Sequence, residues 1–245
     1  MNTSNELEKT LQSRLDAKLI SSCGILRICI SHRPKTENNF RPEGEYMLHM
    51  PRFDTHCKAV QEYSQRNADN FGDTILMVAL SIQQNWLGVG DQIADVRANK
   101  LESRFLWGNK IKTYEYLMSN KHMMFSQVKA VLNSSKSDTQ KAYSLMIIFL
   151  RVDGLGIPKA GFCCQLIAGL VGCMDVHNIR MYNLNAKDFK LNPNPKTDKA
   201  NRANKLKIWN YIELCEDYGC ENLWNSWCEF LATKSKQWQD GNHVS

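Results

Sequence analysis

Two amphipathic segments separated only by a Gly-x-Gly turn place the strongest constraint on the fold. Ser137 and Gln140 have the S-x-x-Q spacing of a helix N-terminus, and apolar residues then recur on one face. Gly154 and Gly156 follow this segment, and Pro158 occupies a position that proline favours in the first turn of a helix. The pattern therefore predicts a helix, a tight hairpin and a second helix, over Ser137–Val152, Gly154–Ile157 and Pro158–Val171.

Apolar residues also recur at intervals of three and four over much of the remaining chain, and no stretch sustains the alternation of a strand. The predicted further helices are Asp54–Asn67, Gly72–Trp86, Ile93–Leu106, Lys110–Met118, Ser126–Leu132, Leu206–Cys215 and Glu221–Leu231. The fold class that we expect is therefore mainly all-α.

Proline, glycine and charge divide the chain into three parts. Residues 1–50 form a small N-terminal extension, with a predicted helix over Asn5–Ile20 and a short strand over Ile25–Ile30. Residues 51–186 form the predicted helical core. Residues 187–245 hold a basic loop over Lys187–Lys207 and then C-terminal helices that we expect to pack on the core.

Composition points to an intracellular globular protein, in the cytoplasm or nucleoid. The longest nearly uncharged stretch, Gly161–Met174, is short of the roughly 18 residues that span a bilayer, and charged residues near the N-terminus are unlike a secretory signal. The nine scattered cysteines suit a reducing compartment, where they serve as small buried hydrophobic residues. A net charge of +6 permits an anionic partner without requiring one.

The Gly-x-Gly turn is suited to binding a phosphate. Gly154 and Gly156 can bring bare backbone amides close to a ligand, and the following helix adds free N–H groups and the positive end of its dipole. A Gly-x-Gly turn also ends helices for purely structural reasons. The turn alone therefore leaves both interpretations open.

The wider motif resembles a known family. The stretch GLGIPKAGFCCQLIAGLVGCMDVHNIR, residues 154–180, is similar to the helix-hairpin-helix DNA glycosylases of the endonuclease III type. Their signature is a hairpin of the form L-P-G-V-G-x-x-x-A, an apolar helix, and then V-D-T-H or V-D-V-H. The resemblance implies a helix-hairpin-helix glycosylase-like core, and it makes Asp175 the catalytic carboxylate.

A second stretch, ILMVALSIQQNWLGVGD at residues 75–91, looks like the early helix of that family, which ends in a wedge of Gln-Gln or Gln-Asn. By resemblance, Gln83, Gln84 and Asn85 would enter the base stack or face the orphaned base. The DNA-binding hairpin would comprise Gly154, Leu155, Gly156 and Ile157, with Lys159 on a phosphate. Double-stranded DNA is the implied partner, the protein is expected to be a monomer, and no membrane is involved.

Two departures from the family pattern shape the expected chemistry. Bifunctional members carry a lysine two residues after the second hairpin glycine, where this chain has Pro158, and Lys159 comes one position later. A Schiff-base lyase step is therefore not expected. The family's iron-sulfur loop has cysteines in a C-x6-C-x2-C-x5-C run, whereas Cys215, Cys220 and Cys228 are three at a different spacing. We predict no metal and no cofactor.

Several residues also have structural interpretations. Asp175 suits a helix N-cap, a role that is compatible with catalysis. His177 and Arg180 are more typical of supporting residues than of a general base. Residues 83–85 would also suit a polar helix end, and the basic run after Lys187 would suit either a solvated loop or contact with DNA.

The function that we predict is hydrolysis of the N-glycosidic bond of a flipped damaged, mismatched or modified base by Asp175, without lyase activity. One alternative is a base-hypermodifying transferase of the bacteriophage kind on a glycosylase-like fold. Another is a DNA-binding module without catalysis. The base that is recognised is not encoded in these motifs.

Overall fold

The computed structural model describes residues 53–82 and 89–226, and within these ranges all regular structure is helical. The helices are α1 (Phe53–Ser64), α2 (Ala68–Leu80), α3 (Val89–Asn99), α4 (Asn109–Leu132), α5 (Asp138–Phe149), α6 (Ile157–Ala168), α7 (Val176–Met181) and α8 (Asp198–Tyr218), with short 3₁₀ turns at Lys100–Glu102 and Ala186–Phe189. Residues 220–226 are helical as well. The prediction of a mainly α-helical fold is confirmed. The predicted helix Asn5–Ile20 and strand Ile25–Ile30 lie outside the described residues.

Helix α2 lies at the centre of the core and packs against α1, α3, α4 and α6. Its side chains explain this position, because Phe71, Ile75, Val78 and Leu80 are all fully buried. Asn67 starts the helix by accepting a hydrogen bond from the Asn70 amide, so the chain enters the core with its first turn capped. Burial of this apolar face is the main source of stability for the helix.

Helix α4 runs without interruption from Asn109 to Leu132. The prediction of two separate helices, Lys110–Met118 and Ser126–Leu132, is therefore wrong. The residues between them are mostly polar or exposed, which hides the helical pattern, but they include no proline or glycine to end a helix. Leu117 and Met124 are both buried, so the two halves of α4 pack on the same core.

The predicted helix, hairpin and helix are present as α5, a short turn and α6. Ser137 and Gln140 form the expected capping box, in which each side chain accepts a hydrogen bond from the other residue's backbone amide. Pro158 lies in the first turn of α6, and Gly169 ends this helix in a left-handed conformation. Both helices are shorter than predicted by a few residues at their C-terminal ends.

The basic segment is only partly a loop. Thr197 accepts a hydrogen bond from the Ala200 amide and starts α8 at Asp198, so residues 198–207 are helical and the predicted loop over Lys187–Lys207 is too long. Ile208 and Tyr211 bury one face of α8 in the same hydrophobic core as the preceding helices. Among the described helices, none is both long and apolar enough to cross a bilayer.

Candidate active site

Asp175 lies at the start of α7 and serves as its N-cap. Its Oδ1 accepts a hydrogen bond from the Asn178 amide at 3.1 Å, and its carbonyl oxygen accepts one from the Ile179 amide at 2.9 Å. The carboxylate is half-buried. The capping role predicted from the sequence is therefore present, and the negative charge lies at the positive end of a short helix.

The segment that precedes Asp175 is fastened to α8 by one buried side chain. The Tyr211 hydroxyl donates a hydrogen bond to the Gly172 carbonyl oxygen at 2.7 Å and accepts one from the Met174 amide at 2.9 Å. Burial raises the pKa of Tyr211 well above its usual value, which keeps the hydroxyl protonated and able to donate. Both backbone groups are thereby satisfied without water.

Two further buried amides hold the same segment. Gln165 of α6 accepts a hydrogen bond from the Cys173 amide at 3.2 Å and donates one to the Cys220 carbonyl oxygen at 3.1 Å. Asn178 of α7 donates to the Cys173 carbonyl oxygen at 2.6 Å. Residues 172–175, which we call the Asp175 loop, are thus held by side chains from α6, α7 and α8. Such multiple attachment fixes the position of a carboxylate.

A glycine in α6 allows the Asp175 loop to lie close to that helix. A Cβ atom on Gly161 would lie 2.7 Å from the Gly172 carbonyl oxygen and 2.6 Å from the Tyr211 hydroxyl. A Cβ atom on Gly172 would instead meet the tip of the Leu223 side chain, which would have to shift. At Gly161 the obstacles are a backbone oxygen and a buried hydroxyl, so only glycine at that position permits the observed approach.

The two glycines of the hairpin have different environments. Gly154 has a φ of +90°, and a Cβ atom there would lie 2.8 Å from Oγ1 of Thr113, which itself donates a hydrogen bond to the Asp153 carbonyl oxygen. Packing against α4 and backbone conformation therefore both require a glycine at this position. Gly156 is exposed, and the nearest atom to a Cβ atom there would be Cδ of Pro158 at 4.0 Å. The open side of the hairpin is at Gly156.

The other two hairpin residues belong to the core. Leu155 is 7% exposed and Ile157 is fully buried. Their side chains anchor the turn, so a ligand at the hairpin would meet the backbone of Gly156 and the first turn of α6. Helix first-turn amides have no acceptor within the helix, and they are common contacts for a phosphate.

Lys159 bridges the start of α6 and the end of α2. Its ammonium donates a hydrogen bond to the Ser81 hydroxyl at 3.2 Å and lies 5.5 Å from the ring centroid of Phe162. The residue is half-buried. Ser81 comes two residues before Gln83, the first residue of the predicted wedge, in the sequence. Gln83, Gln84 and Asn85 themselves lie outside the described residues.

A second lysine meets the same end of α2. Lys110 is 3% exposed, its ammonium donates a hydrogen bond to the Leu80 carbonyl oxygen at 3.0 Å, and it lies 4.7 Å from the ring centroid of Trp107. Burial, with a smaller contribution from the charge of Lys159, lowers the pKa of Lys110 to about 8. The sequence pattern indicates Lys110 only as the first residue of a helix.

The charges of Asp175 and Lys159 both act on the buried thiol of Cys173. Burial raises the pKa of Cys173 far above its usual value; the charge of Asp175 raises it further, while the charge of Lys159 opposes this shift. Both charged groups are therefore near enough to act on the same sulfur.

The two predicted supporting residues lie on α7. Arg180 is exposed, and the backbone of His177 lies on the same helix.

Four of the described cysteines are packing residues. Cys163, Cys164, Cys173 and Cys215 are buried, and burial raises the pKa of all four thiols. Such thiols are poor nucleophiles and poor metal ligands. In residues 53–82 and 89–226, no group of three or more His, Cys, Asp or Glu side chains is arranged to hold a metal ion. Cys228 lies outside the described residues.

The motifs do not indicate Gln165, Asn178 and Tyr211, which hold the Asp175 loop, or Lys110, which binds the end of α2. Asn178 follows Asp175 by three residues, the spacing of an N-cap partner, so its backbone role could have been foreseen. Tyr211 lies in a different helix, 36 residues beyond Asp175, and no local pattern connects the two.

Comparison with known proteins found no family model, no curated protein and no solved structure that matches this chain.

Proposed function

We propose that this protein is a monofunctional DNA glycosylase that hydrolyses the N-glycosidic bond of a flipped base, with Asp175 as the catalytic carboxylate. The observation that carries the proposal is the Asp175 loop, which side chains of three helices hold beside the hairpin helix α6. The proposal also rests on the resemblance of residues 75–91 and 154–180 to the helix-hairpin-helix glycosylases.

The chemistry requires a carboxylate in a fixed position. The target base must leave the stack before its glycosidic carbon can be reached. As the base departs, positive oxocarbenium character develops on the sugar, and the Asp175 carboxylate stabilises this charge while it orients or deprotonates the attacking water. A carboxylate that is already held by its neighbours need not reorganise during the reaction, which is what makes electrostatic stabilisation effective.

Lys159 has surroundings that favour DNA contact over covalent catalysis. Its ammonium is bonded to Ser81 and lies over the Phe162 ring, so its position is set by α2 and α6. We assign it to a DNA phosphate near the exposed Gly156. Without a nucleophilic amine, the product is an abasic site with an intact strand.

The decisive experiment compares wild type with Asp175→Asn in single-turnover release of free base. The substrates are duplexes that carry damaged, mismatched or hypermodified bases, and alkali-sensitive abasic sites report the reaction. Asparagine caps a helix as well as aspartate does but lacks the charge, so we expect base release to fall about a hundredfold to a thousandfold while DNA binding is retained. Asp138→Asn, at an exposed residue in the first turn of α5, is the matched control and should retain full activity.

Other outcomes would identify a different function. Full base release by Asp175→Asn would contradict the proposed role of the carboxylate. Transfer of a labelled group to DNA with the glycosidic bond intact would indicate a base-modifying transferase. Binding to every duplex without either reaction would indicate a DNA-binding module.

Borohydride reduction tests the proposed lack of lyase activity. A Schiff base between a lysine and the sugar would be trapped as a covalent adduct, and we expect none to accumulate above the level of a Lys159→Ala control. An adduct that disappears only in Lys159→Ala would show that this lysine is a nucleophile.

A further inference from the structure

Four lysines line an open groove between α8 and the segment before it. The groove encloses about 570 Å³ and lies between the 3₁₀ turn Ala186–Phe189, residues 190–192 and the N-terminal half of α8. Its charged and amide-bearing lining residues are Lys187, Lys190, Asn192, Lys199, Asn204 and Lys207. We call this set the basic groove.

The region of the basic groove accounts for nearly all of the protein's net charge. Residues 187–207 contain seven Lys and Arg residues and two Asp residues, a net of +5, whereas the whole chain has a net charge of +6. Neither of the two aspartates lines the groove. A concentration of one sign of charge in a concave surface creates a field that attracts a polyanion.

The ammonium groups of Lys187, Lys190 and Lys199 are available to a ligand. The three residues are exposed, and no carboxylate of the described residues lies within 4.0 Å of their ammonium groups. Like charges on the two walls repel one another, and within the described part of the chain no ion pair to these lysines offsets this repulsion. An anionic ligand would supply the counter-charge.

The walls of the groove are held in place before any ligand binds. The Lys207 ammonium donates hydrogen bonds to the carbonyl oxygens of Lys187 and Lys190, at 3.0 and 2.8 Å. Asn204 donates to the Asn192 carbonyl oxygen at 2.9 Å and accepts from the Asn192 amide at the same distance. Binding would therefore cost little ordering of the backbone.

The basic groove is connected to the Asp175 loop through aromatic side chains. Phe189 lies between Lys187 and Lys190 in sequence, and its ring meets that of Tyr211 edge to face, with centroids 5.5 Å apart. The Tyr211 hydroxyl in turn holds Gly172 and Met174. A polymer seated in the groove would thus lie against the element that positions Asp175.

We propose that the basic groove binds the sugar-phosphate backbone of duplex DNA beside the target base, as a second DNA contact separate from the hairpin. The inference rests on the proposed function. DNA suits the groove because it presents a regular row of phosphates, which lysines on two walls can contact without reading sequence.

The test is a triple variant, Lys187→Gln, Lys190→Gln and Lys199→Gln. The backbone carbonyls that Lys207 contacts are retained, so the walls should stay in place. We expect the Kd for a duplex to rise at least about tenfold at physiological salt, and the slope of log Kd against log salt to fall by about two to three. Base release from subsaturating DNA should fall along with the affinity.

The matched control removes the same three charges elsewhere. Lys58, Lys100 and Lys136 are exposed and lie outside the groove, and their triple change to Gln should alter the Kd less than threefold. Equal loss of affinity in both triple variants would contradict the proposed role of the groove, since net charge alone would then explain DNA binding. A groove variant that loses affinity for duplex RNA but not for duplex DNA would also overturn it.

If the groove does not bind DNA, the results differ from those expected if the protein is not a glycosylase. Base release by wild type, with undiminished affinity in the groove variant, would overturn the groove alone. Loss of affinity in the groove variant, with no base release by wild type from any duplex, would support the groove and contradict the glycosylase. Wild type that binds no DNA would overturn both.

Discussion

The hydroxyl of Tyr211 lies 2.7 Å from the carbonyl oxygen of Gly172, and this contact ties α8 to the loop that ends at Asp175. Because the same hydroxyl accepts from the Met174 amide, one atom serves two buried backbone groups. A buried backbone group left unpaired costs about 1–3 kcal/mol. The side chain therefore matters both for stability and for the position of Asp175.

Tyr211→Phe should lower the free energy of unfolding by about 1–3 kcal/mol, since it leaves the Met174 amide unpaired and leaves the Gly172 carbonyl oxygen only the weak donor Cys215 Sγ at 3.7 Å, while the ring is kept. Urea unfolding followed by circular dichroism measures this change. Tyr143→Phe is the matched control, because the Tyr143 ring stacks on Trp209 and, among the described residues, its hydroxyl has no hydrogen-bond partner. Equal stability of the two variants would contradict the role given to Tyr211.

Asp175 should show separable capping and catalytic contributions. Asp175→Ala removes the cap of α7 and should lower the free energy of unfolding by about 1 kcal/mol, whereas Asp175→Asn should leave it nearly unchanged. Both variants should lose base release. The measurement combines urea unfolding with single-turnover assays, and unequal activity of the two variants would indicate that the cap itself controls the chemistry.

Gly161→Ala should be strongly destabilising. The added methyl group would meet the Gly172 carbonyl oxygen and the Tyr211 hydroxyl at distances that require the Asp175 loop to move. We expect a loss of about 1–3 kcal/mol or more, measured by thermal or urea unfolding. An unfolding midpoint equal to that of wild type would show that the loop moves without cost.

Gly156→Ala should instead fold normally and bind DNA less well. A Cβ atom at this exposed position has open space, and its φ of −91° suits any residue. The free energy of unfolding should stay within about 0.5 kcal/mol of wild type, because the site is open and on the surface. If the hairpin contacts a phosphate, the methyl group should raise the Kd for a duplex severalfold; an unchanged Kd would place the DNA contact elsewhere.

Lys110 should give stability a distinct pH dependence. Its pKa is about 8 in the folded protein and near its usual value of 10.5 when unfolded, so the unfolded chain binds more protons between these pH values. We therefore compare wild type with Lys110→Met and take the difference between their free energies of unfolding, wild type minus variant. This difference should rise from about pH 8 to about pH 10.5. Urea unfolding of both proteins across this range measures the difference, and a flat difference would contradict the lowered pKa.

Local patterns in the sequence predict the parts of this fold that depend on neighbouring residues. Residue type and short spacing are enough to predict three local features, and all three are present: the capping box at Ser137, the first-turn Pro158 and the N-cap at Asp175. Helix α4 was divided in the prediction because its middle is exposed and polar. The lack of proline and glycine there was the better signal.

Contacts between distant segments could not be predicted in this way. The bond from Lys110 to Leu80 joins residues 30 apart, and the contact of Thr113 with Asp153 joins residues 40 apart. Such pairs depend on which faces of the helices meet, which periodicity alone does not specify. The contacts of Tyr211 with Gly172 and Met174 belong to this class, so the motif indicates the carboxylate but not this anchor from α8.

The attachment of the Asp175 loop to α8 has a consequence for synthesis of the chain. The hairpin and Asp175 emerge from the ribosome before Tyr211, so a nascent chain can form α5 and α6 while the loop still lacks its anchor. Because α8 contributes to the same hydrophobic core and domains generally fold as units, the carboxylate can be held in place only after Tyr211 has been synthesised. A truncated product that ends before Tyr211 would lack the anchor of the Asp175 loop.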